Sequence, residues 1–214
     1  MLKITGFTFN PFQENTYVLN NEHGECWIID PGMFNAEEEN ILLDFLSSHN
    51  LRPQQIINTH THIDHILGIP RLKAKFQLPF GMHENDMPIL RNAGGSAMMF
   101  GLPAFSAPQA DFYIQAGASI SLGEDKVEVR LAPGHSPGSI IFYYPEGGFV
   151  VAGDVLFQGS VGRTDLPGGD FSTLSLSIQQ QLYTLPEETI VYPGHGPSTT
   201  IGEELRHNPF VRAQ

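Results

Sequence analysis

Cysteine is nearly absent from this chain: Cys26 is the single thiol in 214 residues, so no disulfide can form within it. Positive charge is scarce as well. Eleven Lys and Arg stand against 23 Asp and Glu, for a formal net charge of −12. The basic residues form no run or stripe that would neutralise a phosphate backbone, which excludes nucleic acid as the expected partner. Long apolar runs are missing too, since none approaches the roughly 20 residues that a membrane-spanning helix needs. The start, MLKITGFTFNPF, lacks the basic segment and apolar core of a signal peptide. A cytoplasmic protein with no membrane partner is the expectation. There is no fixed-period repeat, low-complexity tract or linker. What is present is 41% hydrophobic content, ordinary for a globular chain, and a length that suits one domain over 1–214.

The first thirty residues read as a meander: KITGFTF and ENTYVLNN alternate or cluster β-formers, NEHG is a turn, and ECWIID returns as a third strand before Pro31-Gly32. Residues 36–50 switch to helical spacing, with Ile41, Leu42, Phe45 and Leu46 on one face and acidic residues near the amino end. QQIINTH is a short buried strand, HILGIPRLKAKF a helix, LPFGMH a strand and ENDMPILRNAG a helix. The Gly/Ala/Pro-rich stretch 93–108 has no clear periodicity and reads as a surface loop or lid. Strands and turns follow in SISLG, KVEVRLAPG, SIIFYYPEGGFVVAGD and TIVYPGHG, with helices at about 171–184 and 201–207. This order predicts two sheets packed face to face with helices outside, an α/β sandwich of four layers.

NTHTHIDH, at 58–65, ends one apolar stretch and begins another. In extended chain, alternate residues share a side, so His60 and His62 can face one point. Asp64 and His65, where the helix is expected to begin, can face a neighbouring point. Three more apolar strands end in a polar residue among glycines: VRLAPGH at His135, FVVAGD at Asp154 and TIVYPGH at His195. If these strands are neighbours, five imidazoles and two carboxylates converge. An apolar strand has no structural reason to end in such a cluster, and burying it unpaired would be costly. Imidazole and carboxylate are ligands for zinc, iron or manganese, and seven exceed what one tetrahedral ion uses, so two divalent transition metals are implied.

H-x-H-x-D-H at 60–65, PGHSPGS around His135, AGD at Asp154 and PGHGP at His195 resemble the metallo-β-lactamase superfamily, in order and over nearly the whole chain. GDVLFQGSVGRTDLPGGD and TTIGEELRHNPF are similar to the short glyoxalase II-like hydrolases without the C-terminal helical domain. The resemblance implies an αββα sandwich. It also implies one metal on His60, His62 and His135, a second on Asp64, His65 and His195, and Asp154 bridging them, with Asp64 and Asp154 as the catalytic carboxylates. Asp30, in IIDPG, then orients a ligand imidazole, or else serves only as a turn residue before Pro31. Full-length glyoxalase II enzymes carry G-K-x-Y after the bridging aspartate to hold glutathione. Here the stretch is Gly162-Arg163-Thr164-Asp165, with arginine in the lysine's place and no tyrosine. Arg163 and Asp165 read either as substrate contacts or as an ion pair shaping the loop.

The expected activity is hydrolysis of a small-molecule thioester such as S-lactoylglutathione by a metal-bridging hydroxide. The alternative is a mononuclear iron persulfide dioxygenase, a group that resembles this chain in H-x-H-x-D-H and GRTD but binds one iron through fewer of the same ligands. A purely structural metal module fits less well, because such sites are closed by four protein ligands and seven shared by two ions leave positions open. His83 reads as a helix-start residue, and His23, His49 and His207 as surface residues. Met98, Met99, Phe100 and Phe105 read as an apolar wall, a subunit contact or ordinary core.

Overall fold

A computed structural model describes residues 1–212. The opening meander is β1 (Lys3–Phe9), β2 (Glu14–Asn20) and β3 (Glu25–Ile29), antiparallel throughout, with Phe7 opposite Thr16 and Val18 opposite Ile28. Helix α1 (Ala36–Ser48) starts at Asn35, whose side-chain oxygen accepts from the Glu37 and Glu38 amides. It leads to β4 (Arg52–Ile57), parallel to β3. Helix α2 (Ile69–Phe76), β5 (Phe80–Met82), α3 (Met87–Arg91), α4 (Ala93–Met99) and β6 (Phe112–Tyr113) complete the first half, and the sheet runs in chain order from β1 to β6.

The second half supplies β7 (Ser119–Leu122), β8 (Asp125–Leu131), β9 (Ile140–Tyr144) and β10 (Phe149–Gly153). A small hairpin of β11 (Leu156–Phe157) and β12 (Ser160–Val161) follows, then α5 (Phe171–Ser177), β13 (Ile190–Pro193), β14 (Thr199–Thr200) and α6 (Ile201–His207). The second sheet has the order β14-β13-β10-β9-β8-β7, and β13 runs parallel to β10.

Strand alternation builds the layers. Leu19, Trp27, Ile29 and Ile57 pack between the sheets against Val129, Phe142 and Val151. Their neighbours Val18, Ile28 and Ile56 face the other way, onto Leu42 and Leu46 of α1 and Leu72 of α2. On the far sheet Ile141, Val150 and Ala152 meet Leu174 of α5 and Ile201 of α6. The architecture is therefore the expected αββα sandwich. Among the described residues no helix is long and apolar enough to cross a membrane.

Four local expectations are corrected. The segment 93–108 is not all loop: residues 93–99 form α4, with Ala93 and Ala97, four apart, both buried. Gly94 and Gly95 masked that helix, because glycine is the weakest helix former after proline. The helix expected from His65 begins only at Ile69, with residues 63–65 in a tight 3₁₀ turn closed by the His65 amide donating to the His62 carbonyl. The helix expected over 84–94 is broken into a 3₁₀ turn at Glu84–Asp86 and α3. That expected over 171–184 is α5 followed by a wider π turn at Ile178–Leu182.

Candidate metal centre

The ends of β4, β10 and β13 and the loop after β8 meet at one edge of the sandwich, and the candidate ligands arrive there together. His60 Nε2 lies 3.1 Å from His135 Nε2, which lies 2.8 Å from His62 Nδ1. Beside this trio, His195 Nε2 is 3.1 Å and His65 Nε2 3.7 Å from Asp64 Oδ2. Asp154 sits between the groups: its Oδ2 is 3.5 Å from His135 Nε2 and 3.5 Å from His195 Nε2, and its Oδ1 is 3.4 Å from His65 Nε2. Ligand atoms on a tetrahedral ion with bonds of about 2.0–2.1 Å stand roughly 3.3 Å apart. His65 Nε2 and Asp154 Oδ1 are buried without any hydrogen-bond partner, a costly arrangement that a cation resolves. The donor set and these orphaned atoms fit divalent metal ions.

The opposite ring nitrogens are pinned. His135 Nδ1 is 2.8 Å from the Arg163 carbonyl and His195 Nδ1 is 3.1 Å from the Phe12 carbonyl, so each N–H donates there and leaves Nε2 free to ligate. Asp30 accepts from the Thr59 amide at 2.7 Å and the Thr59 hydroxyl at 2.6 Å, and its Oδ2 lies 3.2 Å from His65 Nδ1. Thr59 Oγ1 is 3.1 Å from His60 Nδ1. Asp30, His60 and His65 thus form a third compact cluster, but Thr59 already occupies its donors and acceptors, so it is a relay of hydrogen bonds. Two glycines are required by close approach: a Cβ on Gly194 would lie 2.0 Å from Asp154 Oδ1, and one on Gly162 would lie 1.8 Å from the Asp154 carbonyl.

Burial, helped by His65 and His135, pushes His60 well below the usual imidazole value, and burial followed by His135 pushes His62 down to about 3. Both are neutral at pH 7, as ligands must be. Burial alone would raise Asp154, but His65 and His135 hold it well below the carboxylate range, and His65 and His195 lower Asp64 against the same opposition. His65 and His195 shift upward. Burial opposes this in both, but Asp154 and Asp64 overcome it and favour a bound cation, whether proton or metal.

All seven proposed ligands come together. Arg163 and Asp165 do so only indirectly: their side chains form an exposed bidentate ion pair, with distances of 2.7 and 2.8 Å, and the loop supports the centre through the Arg163 carbonyl. His83 caps the turn at 84–86 by accepting from the Asn85 amide. Phe105 packs on the core, whereas Met99 and Phe100 line the cleft above the centre.

The sequence concealed several supporting residues. Asp86 is buried and joins two ligand loops, its Oδ1 accepting from the Ser136 hydroxyl and the Gly138 amide and its Oδ2 from the Thr61 amide. Asn58 donates to the His60 and His65 carbonyls, and Asn10 to those of Gly32 and Asp64. Glu14 is buried 3.8 Å from His65 Nδ1 and accepts from the Thr16 hydroxyl. The one available signal was a polar residue inside or beside an otherwise apolar strand.

A four-layer sandwich with paired His/Asp clusters at its strand ends defines the frame of a metal-dependent enzyme. Residues 9–195 match the Metallo-beta-lactamase superfamily, and the chain belongs to it. It is 39% identical to the probable metallo-hydrolase YqgX of Bacillus subtilis over 94% of this chain and 93% of that one. It is 37% identical to the hydroxyacylglutathione hydrolase GloC of Haemophilus influenzae over 95% of each. Among solved structures, the BLEG-1 B3 metallo-beta-lactamase matches with a TM-score of 0.89 at 39% identity, covering 98% of this chain and 99% of that one. TTHA1623 in a di-iron-bound form matches at 0.85 and 40%, covering 97% and 100%. ETHE1 from Myxococcus xanthus matches at 0.79 and 28%, covering 97% and 83%.

Proposed function

We propose that the protein is a dinuclear metal-dependent thioesterase of the glyoxalase II-like kind, hydrolysing a small-molecule thioester to a carboxylate and a thiol in the cytoplasm, with neither nucleic acid nor membrane as partner. The observation that carries this reading is Asp154 Oδ2, equidistant at 3.5 Å from a histidine of each cluster. His60, His62 and His135 would hold one ion, Asp64, His65 and His195 the other, and Asp154 both. When bound, such ions polarise a carbonyl oxygen and lower the pKa of water to roughly 7. Asp64 and Asp154, held ionised and lining the cleft, would supply the negative charge that retains the ions and would orient the attacking water by accepting its hydrogen bond. Asp30 and the Arg163 and Phe12 carbonyls keep the imidazoles from rotating out of place. Zinc, iron and manganese all suit His/Asp donors. The relatives named as a metallo-hydrolase and as a hydroxyacylglutathione hydrolase support the reaction class.

A second reading is the mononuclear iron persulfide dioxygenase, supported by Gly162-Arg163-Thr164-Asp165 and by the likeness to the Myxococcus ETHE1 structure. Elemental analysis of metal-saturated protein together with a thioester panel separates the two. Close to two ions per chain and thioester cleavage are expected. A single iron, with oxygen consumed on glutathione persulfide and no thioester cleaved, overturns the proposal.

A further inference from the structure

The cleft above the centre encloses about 640 Å³, within the range of roughly 300–1,000 Å³ common for small-molecule sites. Its floor carries ligands, and its walls are mostly apolar, with Phe12, Ile89, Met99, Phe100, Phe157 and Leu166 outnumbering the polar Asn92, Ser96 and Ser160. Phe12 and Phe100 meet edge to face, with ring centroids 5.5 Å apart and planes at 83°, so the turn after β1 and the end of α4 close one side. Met99 is 68% and Phe100 39% exposed, apolar area at the cleft that nothing else in the described residues covers. Arg163 is the only Lys or Arg among the lining residues, and its guanidinium is paired with Asp165 through Nε and one Nη in an exposed ion pair. A substrate bringing carboxylates or phosphates would meet a single cation on these walls, Arg163, already neutralised by Asp165, and would approach a chain of net charge −12.

We propose that the cleft selects an uncharged, apolar substrate: a thioester neutral on both its acyl and its thiol side, with an alkyl or aryl group seated against Phe12, Met99 and Phe100. The bond cleaved rests on the thioesterase reading, whereas the ligand preference is a property of the walls alone. The two are tested apart. Non-hydrolysable thioethers, S-alkyl-N-acetylcysteamines from ethyl to hexyl and S-hexylglutathione, are titrated calorimetrically into the metal-loaded protein.

Affinity for the neutral series should rise about two- to fourfold per methylene, the range between half and full burial of each CH₂. S-hexylglutathione should bind at least tenfold more weakly than its neutral counterpart. Met99→Ser and Phe100→Ser, which alter exposed side chains, should each flatten the dependence on chain length. Affinity that does not change with chain length, or tighter binding of the glutathione thioether, overturns the proposal. Turnover of one acyl group carried on N-acetylcysteamine, glutathione and coenzyme A completes the test, with kcat/KM expected to fall in that order. Neutral thioethers that bind as described while no thioester is cleaved would sink the thioesterase reading and leave the cleft assignment standing. Cleavage without discrimination among the carriers would do the reverse.

Discussion

His62, His135, His195, Asp64 and Asp154 line the floor of the cleft, with His60 and His65 buried just beneath it, while its walls are mostly phenylalanine, methionine, leucine and isoleucine, partly open to solvent. On the floor, His65, His135 and His195 each have the ring nitrogen that faces away from the centre placed against a named acceptor, and the loops that carry the ligands are tied together by Asn58, Asp86 and Asn10. The apolar side chains of the walls have no such ties; where Phe12 and Arg163 support the floor, they do so through main-chain carbonyls. The difference follows from what each region must do. Metal ligands tolerate errors of only a few tenths of an ångström, so every free rotation must be removed, whereas an apolar contact is non-directional and needs only area. Substitutions in the floor should therefore remove the chemistry, and substitutions in the walls should alter only which molecule is held.

The largest effect is expected from Asp154→Ala. It should lower metal occupancy at both positions, whereas Asp64→Ala should mainly empty one, and each should reduce kcat by more than the roughly 10²–10³ lost with a single transition-state donor. Metal analysis with circular dichroism as a fold control checks this. Near-normal metal content in both variants would break the contrast between floor and walls.

Next come the residues behind the ligands. Asp30→Ala and Asp86→Ala should each weaken metal binding by about 10–100-fold, read by competition with a chromophoric chelator, and should lower kcat more than they raise KM. Gly194→Ala should act like a ligand loss, because its Cβ would meet Asp154 Oδ1 at 2.0 Å.

Acid should divide the floor itself. His65 and His195 are raised by Asp154 and Asp64 despite burial, so protons compete for them at a higher pH than for ordinary imidazole. His60 and His62 are lowered by burial and accept protons only at lower pH. Since ligation requires the deprotonated ring, occupancy should fall as pH falls, first at Asp64, His65 and His195 and then at the three-histidine cluster. Dialysis at stepwise lower pH should show a two-step metal loss whose first step is missing in Asp64→Ala. One step in both proteins would show that the two clusters do not differ in this way.

Smaller effects belong to the rim. S-lactoylglutathione should be hydrolysed with a high KM, as the side chains that would clamp glutathione are absent from the walls. Arg163→Gln should leave that KM within about twofold and should release Asp165, now held at about 2 by its hydrogen bonds from Arg163, toward the ordinary carboxylate value in an NMR titration. A KM rise confined to glutathione thioesters would instead place Arg163 at the substrate.

Much of the fold was legible because its signals are local. β2 and β3 are buried on both faces and read as clusters of β-formers, β4 is buried only at Ile56 and Ile57, and α1 ends within two residues of its predicted limit. Helix α4 was hidden, since tertiary burial of Ala93 and Ala97 overrides the low propensity of Gly94 and Gly95. The ligands were readable for a different reason, as histidine and aspartate are expensive at strand ends and stand out there. Arg163 drew attention for its charge, yet its contribution to the centre is a main-chain oxygen, which every residue carries and no side-chain pattern advertises.

By itself, then, the sequence determined the kind of chemistry: the donor types, the acidic surface and the strand ends on which the donors sit, all set by covalent structure and short-range periodicity. Only the tertiary structure decided that His135 meets His60 across 75 positions, that Asp154 stands midway between two clusters, that Asp86 joins two loops and that Arg163 is the single Lys or Arg lining the cleft. Those facts depend on which strands become neighbours and how the two sheets pack, and such long-range distances are set by burial of the whole core.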